Sequence, residues 1–379
     1  MWKTATLLTA IVMILLAIGI VILASTSGIQ SEEHYGNPYH FLTRQVVAMI
    51  LGAVAAVVAS RFPYIHWKKL AVFMGVVSVI MLVMTLTPGV GIKVGGSHRW
   101  LRFGPLNVQP SEFAKFSMIV LVSMWASVMQ RRIKTFWKGA VAPLAVIGLF
   151  CVLILAEPDY GSTILVGAVG LLILFLAGTR ISYLSVATIS GISLMVIMIM
   201  NNELRLRRIM AFMNPEKYYE RESYQLVQAL FAFVSAGARG TGLGEGLQKR
   251  YYLPEAHTDF IFAILGEELG IVASVGVLLL YFGLFLCGVW ISMNAKDMFG
   301  RLLAFGITAM IALQAAANIA VVTGCMPTKG LPLPLISYGG TNLAVNLMMI
   351  GVLINIALEN ARSSSSGKVD AVRDRFHSL

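Results

Sequence analysis

Stretches of roughly twenty apolar residues recur along the whole chain, and no other feature limits its possible folds more strongly. Hydrophobic residues form 58% of the 379-residue sequence and charged residues only 12%, whereas soluble domains carry roughly 25% charged residues. A helix needs roughly 20 mostly apolar residues to cross a bilayer. We therefore predict an all-α polytopic membrane protein. Its ten predicted transmembrane helices lie near 5–25, 43–60, 69–87, 110–129, 139–156, 161–177, 182–200, 269–292, 302–323 and 342–360.

The distribution of lysine and arginine predicts the orientation of these helices. Basic residues concentrate in the cytoplasmic connections of membrane proteins, and here they concentrate in alternate connections, such as residues 131–138. Because the number of spans is even, both termini are predicted to be cytoplasmic. The net charge of +11 follows from this topology and from attraction to anionic lipid head groups. Nucleic acid is therefore not a predicted partner.

One predicted extracytoplasmic loop, residues 201–260, is unusually long, and long loops tend to be functional. Apolar residues within 226–234 predict an amphipathic helix at the membrane surface. Residues 260–265 run almost directly into the eighth span, which predicts a re-entrant helix beside a protein-lined cavity. We assign residues 1–360 to a single membrane bundle. Residues 361–379 are rich in serine and charge, and we predict a disordered cytoplasmic tail.

Ionisable residues at membrane depth are rare and usually functional. Glu112 and Lys115 follow Pro110 at the start of the fourth predicted span, where their spacing lets them pair on one helix face. Two interpretations remain open: a structural ion pair between helices, or a substrate site. Glu157 and Asp159 flank a proline in the next predicted outer turn. Asp159 could also cap the sixth span.

Basic residues on the same predicted side form a candidate anion site. Arg205, Arg207 and Arg208 follow the seventh span, and arginine binds phosphate groups through paired hydrogen bonds. Arg99 and Arg44 add positive charge on that side. Such a surface suits a pyrophosphate. Attraction to lipid head groups is the alternative explanation.

The sharpest signal lies in residues 252–270, which include Glu255, His257 and Asp259. Asp259 stands where a polar loop changes to an apolar helix. Partial desolvation there raises the pKa of a carboxyl and makes it a suitable general base. His257 and Glu255 lie close enough to tune that pKa. The alternative is that Thr258 or Asp259 merely caps a helix.

Several other sequence patterns give no evidence for a further function. The glycine-rich residues 237–246 follow no strand, so we reject a dinucleotide-binding loop and expect a flexible segment. No Walker motif is present, which disfavours an ATP-driven pump. Cys151, Cys287 and Cys325 show no metal-ligand spacing. Of Glu267 and Glu268, one is expected to be a structural partner for a helix dipole or an arginine.

Four blocks of residues resemble the SEDS family (shape, elongation, division and sporulation proteins), in family order. They are 99–100 with 109–115, 157–161, 251–270 and 330–340. The resemblance covers nearly the whole chain, and its last two blocks are long and specific. Residues 253–257 and 326–330 resemble the division branch more than the elongation branch.

The resemblance implies a peptidoglycan glycosyltransferase of the bacterial cytoplasmic membrane. Such an enzyme polymerises lipid II into glycan strands at the outer face, here for septal wall synthesis. Asp259 matches the family's proposed catalytic acid. The expected substrate-binding residues are Glu112, Lys115, Arg44, Arg99, Arg208, His257 and Ser337.

The implied partners are undecaprenyl-linked glycan, a class B penicillin-binding transpeptidase and other division or elongation proteins. A divalent cation, Mg²⁺ or Mn²⁺, would suit the leaving pyrophosphate, although no ligand spacing predicts it. Two other functions remain as alternatives: a lipid II flippase and a non-catalytic division scaffold. The one-sided clustering of acids and arginines disfavours the flippase, because a transporter needs charge compensation from both faces.

Overall fold

The architecture comes from a computed structural model that describes residues 1–94, 97–104, 106–218 and 223–377. Within these residues, ten apolar helices are long enough to cross a bilayer, which confirms the predicted helical membrane fold. They are α1 (Trp2–Tyr35), α2 (His40–Arg61), α3 (Ile65–Leu86), α4 (Pro110–Val128), α5 (Ala142–Ala156, continuous with the helical turn Trp137–Val141), α6 (Tyr160–Ala177), α7 (Ile181–Met200), α10 (Ile261–Met293), α11 (Met298–Val322) and α12 (Gly340–His377). Two shorter helices are α8 (Glu203–Met213) and α9 (Tyr224–Ala236). Short helical turns occupy Gln130–Arg132, Trp137–Val141, Glu216–Tyr218 and Gln248–Tyr252.

Close helix packing holds the centre of the bundle together. A Cβ at Gly351 of α12 would lie 2.3 Å from the carbonyl oxygen of Ala56 in α2, and one at Gly52 would lie 3.0 Å from the Cα of Ala344. Small residues permit such contact between membrane helices, where dispersion forces largely replace the hydrophobic effect. Helix α7 is the opposite case, because Leu184 is its one buried residue. Its other side chains are apolar enough to face lipid.

The segment between α3 and α4 forms a small antiparallel sheet, which the all-α prediction missed. Strand β2 (Ser97–Phe103) pairs with β1 (Ile92–Val94) and with β3 (Leu106–Val108). Strands of three to seven residues are too short to give a clear alternating pattern. The sheet matters for the site because β2 carries Arg99.

The long loop contains the predicted amphipathic helix as α9. One face packs inward through Leu226, Ala229 and Ala232, while Phe231 and Val234 remain exposed. The location of α9 in the bilayer stays a prediction, as does the re-entrant character of this region. Helix α10 begins at Ile261, before the predicted start at 269, and is interrupted by Gly270, whose φ is 81°.

Two further segments differ from what the sequence predicts. The glycine-rich residues 237–246, expected to be flexible, are hydrogen-bonded to the break in α10: the amide of Gly242 donates to Glu268 O at 3.0 Å. Helix α12 continues to His377 and so includes residues 361–377 of the segment for which composition predicts disorder, whereas residues 378–379 lie outside the described residues. Extending an existing helix avoids the cost of nucleating a new one. The division between bundle and tail at residue 360 stays a prediction.

Candidate active site

Most of the predicted site residues lie at one end of the bundle, called here the site end. It comprises the starts of α2, α4, α6, α10 and α12 and the ends of α3, α5 and α11, together with β1–β3. Hydrogen bonds join segments that are distant in sequence. Gln45 of α2 donates to the carbonyl oxygen of Ser337 at 3.0 Å, and Asn318 of α11 donates to that of Asp259 at 2.7 Å.

Asp259 lies two residues before α10 begins, with its carboxyl recessed but partly exposed. Burial, together with the negative charges of Glu255 and Asp159, raises the pKa of this carboxyl to about 7 against the opposing effect of Arg99. A group with this pKa can accept a proton at neutral pH. Asp259 therefore has the environment that its sequence position predicts.

Ser337 holds the loop that carries Asp259. Its hydroxyl donates to the carbonyl oxygen of Thr258 at 2.5 Å and accepts from the amide of Leu333 at 2.8 Å. The amide of Tyr338 donates to His257 O at 3.0 Å. Because both functions of the Ser337 hydroxyl are occupied by protein, the geometry fits a positioning role better than direct substrate binding, which stays a prediction.

His257 belongs to an aromatic cluster beside Asp259. Its ring stacks on Phe41 at 4.8 Å between centroids and lies 5.8 Å from the ring of Tyr338. Burial lowers the pKa of His257, with a smaller opposing effect of Glu255, so the ring is neutral at pH 7. Arg44 hydrogen-bonds the hydroxyl of Tyr338. The structure thus brings Arg44 and His257 together at the site end, through their shared neighbour Tyr338.

Arg99 reaches across to the turn between α5 and α6. Its Nε donates to Glu157 O at 2.9 Å and its terminal nitrogen to Pro158 O at 2.7 Å. These acceptors are neutral carbonyls, so they fix the guanidinium without forming a direct ion pair. Pro158 has an unusual φ of 31°. Asp159 caps α6 by accepting from the amide of Ser162 at 3.0 Å, which confirms the capping alternative.

Glu157 is fully buried behind this turn, where Thr85 donates a hydrogen bond to one carboxyl oxygen. The pKa of Glu157 is raised to about 7, mainly by burial and to a smaller extent by Asp159. The hydrogen bond from Thr85 and the charge of Arg99 oppose this shift. Glu157, Asp159 and Asp259 therefore share one electrostatic environment with Arg99. The sequence predicted only a tight turn with two flanking acids.

Glu112 and Lys115 form a buried ion pair with 2.8 Å between Lys115 Nζ and Glu112 Oε1. Lys115 also donates to Gln314 Oε1 at 2.9 Å, and Asn342 donates to Glu112 Oε2 at 2.8 Å. The pair therefore connects α4 with α11 and α12. Since protein groups satisfy both carboxylate oxygens, these contacts favour the structural interpretation. Substrate binding by the pair stays a prediction.

The arginines of α8 are arranged differently from the expectation. Arg208 is exposed, and in the described part of the chain no contact joins it to Asp259. Arg205 instead lies 3.7 Å above the ring of Tyr160, the first residue of α6. A cation held against an aromatic face can still attract an anion on its open side. Arg205 is therefore a better-placed candidate than Arg208.

Some site residues escaped prediction because they are polar residues within apolar helices. Gln314 and Asn318 lie in the predicted span 302–323, where buried amides are rare enough to signal a role. The sequence predicts that Glu267 or Glu268 pairs with a helix dipole or an arginine, but Glu268 pairs with Lys249, 2.6 Å away. No local pattern links two residues nineteen positions apart. Across the described ranges, no group of three or more His, Cys, Asp or Glu is placed to hold a metal ion.

The fold and the site end together define a polytopic membrane protein with a recessed carboxyl of raised pKa and a fixed arginine beside it. The chain belongs to the family described as cell cycle proteins (FtsW, RodA and SpoVE), whose model matches residues 5–362. It is 39% identical to a probable peptidoglycan glycosyltransferase FtsW of Trichlorobacter lovleyi, over 95% of each chain. It is 36% identical to stage V sporulation protein E of Bacillus subtilis, over 93% of this chain and 96% of that one.

Two solved structures resemble the fold along nearly its whole length. A chain of a peptidoglycan synthase complex that coordinates polymerization and crosslinking matches with a TM-score of 0.76 and 25% identity, over 95% of this chain and 98% of that one. The rod shape determining protein RodA of Thermus thermophilus matches with a TM-score of 0.69 and 25% identity, over 94% and 96%. These matches confirm the expected family.

Proposed function

We propose that this protein is a peptidoglycan glycosyltransferase that polymerises lipid II, with Asp259 as its general base. The observation that carries the proposal is the environment of Asp259, a recessed carboxyl with a pKa of about 7 near the fixed guanidinium of Arg99. The relatives named FtsW support the activity and a role in cell division. An elongation role of the RodA type is the second choice.

The reaction is a displacement at the anomeric carbon of a lipid-linked sugar. The 4-hydroxyl of one disaccharide attacks this carbon, its proton passes to a carboxyl oxygen of Asp259, and the bond to the lipid pyrophosphate breaks. The leaving group carries away the bonding electrons. Arg99 and Arg44 supply positive charge at the site end, which lowers the energy of the developing pyrophosphate charge. The aromatic cluster of His257 and Tyr338 forms one wall beside the base.

We propose that a divalent cation binds at the site end only when the pyrophosphate of the substrate is also present. Magnesium is commonly held by one or two carboxylates plus substrate phosphates, and the described residues offer no fuller ligand set. Asp159 and Glu255 lie near enough to Asp259 to raise its pKa, and they are the available carboxylates. Activity with EDTA, and after replacement of Mg²⁺ or Mn²⁺, tests this requirement.

The proposed orientation places the site end outside the bacterial cytoplasmic membrane and both termini in the cytoplasm. The alternation of lysine and arginine along the connections supports it. Cys325 is exposed at the site end, whereas Cys151 and Cys287 lie in membrane helices. A membrane-impermeant maleimide is therefore expected to label Cys325 in intact spheroplasts. Labelling only after lysis would reverse the orientation.

The proposed partner is a class B penicillin-binding transpeptidase, together with other division proteins. The likeness to a chain of a peptidoglycan synthase complex supports this assignment. The partner's membrane anchor is expected to pack on an exposed helix face. Pull-down of such a transpeptidase with the purified chain, and its effect on polymer yield, are the two measurements that check the assignment.

Glycan synthesis from purified lipid II in detergent tests the enzymatic function. We expect polymer from the wild type, with and without its transpeptidase, and a loss of roughly 10²–10⁴-fold for Asp259→Asn, the usual contribution of a general base. Glu33→Gln, which changes an exposed acid near the end of α1, is the matched control. If the wild type makes no polymer even with its partner, the flippase and scaffold alternatives gain support, and lipid II movement across vesicles decides between them.

A further inference from the structure

A buried ion pair lies at the far end of the helical segment, residues 261–269, that begins two residues after Asp259. Lys249 Nζ is 2.6 Å from Glu268 Oε1 and 2.8 Å from the hydroxyl oxygen of Ser25 in α1. Ser25 also donates to Glu268 Oε1 at 2.7 Å. The side chains of Lys249 and Glu268 are 4% and 0% exposed. Three distant segments therefore meet at one carboxylate.

The neighbouring Glu267 makes a second set of contacts with the same loop. Its carboxylate accepts from the amides of Leu247 at 2.7 Å and Gln248 at 3.2 Å. The amide of Thr241 donates to the carbonyl oxygen of Glu267 at 2.9 Å, and Gly242 to that of Glu268. We call this arrangement, residues 237–249 with Ser25, Glu267 and Glu268, the clamp. It fixes the end of the helix segment that starts beside Asp259.

The clamp matters because Gly270 separates this helix segment from the rest of α10. Residues 261–269, called here the half-helix, end at the non-helical Gly270, so the membrane span does not set their direction. Apart from the clamp, α9 holds them: a Cβ at Gly266 would meet the ring of Phe233 at 2.2 Å. A helix of nine residues is a stiff rod about 13 Å long. Movement at Glu268 is therefore transmitted to the loop of Asp259.

A role in stability alone explains the pair poorly. Burying two charges costs free energy that their attraction only partly offsets. Apolar residues of similar volume often give a protein that is equally stable or more stable. Glu268 Oε2 is buried without a hydrogen-bond partner among the described residues, which adds to that cost. An ion pair fixes the direction and distance between its carboxylate and its ammonium group. An apolar contact does not define a single geometry in this way.

We propose that Lys249 is a positioning residue, which through Glu268 fixes the half-helix and thereby the approach of Asp259 to its substrate. The inference rests on the proposed glycosyltransferase function. In this proposal the long loop contributes to catalysis through Lys249, without contacting the reacting atoms. It also assigns a purpose to the glycine-rich segment, whose close packing at Gly240 and Gly270 brings the loop backbone onto the helix break.

The test compares Lys249→Met, Glu268→Gln, Ser25→Ala and the conservative Lys249→Arg in the full-length protein. The matched control is Glu203→Gln, which weakens the exposed ion pair with Arg207 in the same long loop. Three quantities are measured per folded molecule: kcat with lipid II, KM for lipid II, and hydrogen–deuterium exchange of amides 261–269. The pH dependence of kcat is recorded for each variant.

We expect Lys249→Met to lower kcat about tenfold or more, because small misplacements of a catalytic group have effects of this size, while KM changes little. Exchange of the half-helix amides is expected to accelerate and the acid limb of the pH profile to move. Lys249→Arg is expected to recover part of kcat, and Glu203→Gln to resemble the wild type. Ser25→Ala, which removes only a neutral partner, replaces Lys249→Met under the same criteria if that variant does not fold.

Wild-type kcat and pH profile in folded Lys249→Met and Glu268→Gln would overturn the proposal. So would a loss confined to the yield of folded protein, because that result describes stability alone. If the wild type makes no polymer, the proposed function fails separately. Exchange of amides 261–269 then still decides whether Lys249 holds the half-helix.

Discussion

Gly330 lies directly against the carboxyl of Asp259: a Cβ at position 330 would be 2.9 Å from Asp259 Oδ2. The carboxyl has little freedom to retreat, since Asn318 and Ser337 hold its loop through the carbonyls of Asp259 and Thr258. The absence of a side chain at 330 therefore leaves room at the oxygen that the proposed mechanism uses.

Gly330→Ala is accordingly expected to reduce kcat about tenfold by displacing the carboxyl, with little change in thermal stability because residue 330 is exposed. Gly339→Ala in the same loop is the control, since its Cβ would make an ordinary 3.6 Å contact with Asn342. Polymer synthesis per folded molecule is the measurement. An unchanged rate in Gly330→Ala would show that the carboxyl has more freedom than the structure indicates.

The pH dependence of polymerisation is expected to follow Asp259. A general base must be deprotonated, so kcat rises with pH and levels off above about 7, where the carboxyl has lost its proton. Glu255→Gln removes a negative charge that raises the pKa of Asp259, and the acid limb is expected to move to lower pH. Glu33→Gln controls for the loss of an exposed acid. An acid limb that stays in place in Glu255→Gln would contradict this assignment.

The same carboxyl makes folding stability depend on pH. Its pKa is higher in the folded protein, about 7, than the ordinary 3.8, so its stability contribution is fully present below about pH 4 and is lost as pH rises through 7. Asp259→Asn removes this loss and is expected to stabilise the protein by about 2 kcal/mol at pH 8. Thermal unfolding of both proteins at pH 5 and pH 8 checks it; an equal difference at both pH values would count against it.

Sequence patterns were sufficient for the helices and for the main acid of the site. Each span carries its own apolar signal, so all ten could be predicted locally. Asp259 could be found because a polar-to-apolar boundary is visible in a few consecutive residues. The sequence predicted only that Arg99, Asp159 and Glu157 lie on the same side of the membrane. It could not predict that they lie side by side, since no local pattern specifies which loops touch.

What the sequence could not predict depends on contacts between distant segments. Lys249 and Glu268 pair because Gly270 breaks α10 and lets the loop fold back. The short strands around Arg99 have too few residues for a reliable period. The family resemblance points to Arg208, and no sequence pattern separates it from Arg205. Only the helix rotation that brings Arg205 over Tyr160 distinguishes the two.

The ion pair of Glu112 and Lys115 is expected to be mainly structural. Lys115→Met leaves a buried carboxylate that only Asn342 satisfies, and breaking a buried pair in this way costs about 3–5 kcal/mol. The double variant Glu112→Gln with Lys115→Met removes both charges and is expected to recover most of that loss. Thermal unfolding in detergent measures the effect. A stable but inactive Lys115→Met protein would instead favour direct substrate contact.

Gly270 should be among the least replaceable residues of α10. Its φ of 81° is unfavourable for any residue with a side chain, and a Cβ there would lie 2.5 Å from both Ala238 O and Gly240 N. Gly270→Ala is therefore expected to destabilise the protein by about 1–3 kcal/mol and to accelerate hydrogen exchange in residues 237–249. Gly276→Ala, with open space around its Cβ in the same helix, is expected to be neutral or slightly stabilising, because alanine favours helix. If both variants unfold at the same temperature, the break in α10 does not depend on glycine at 270.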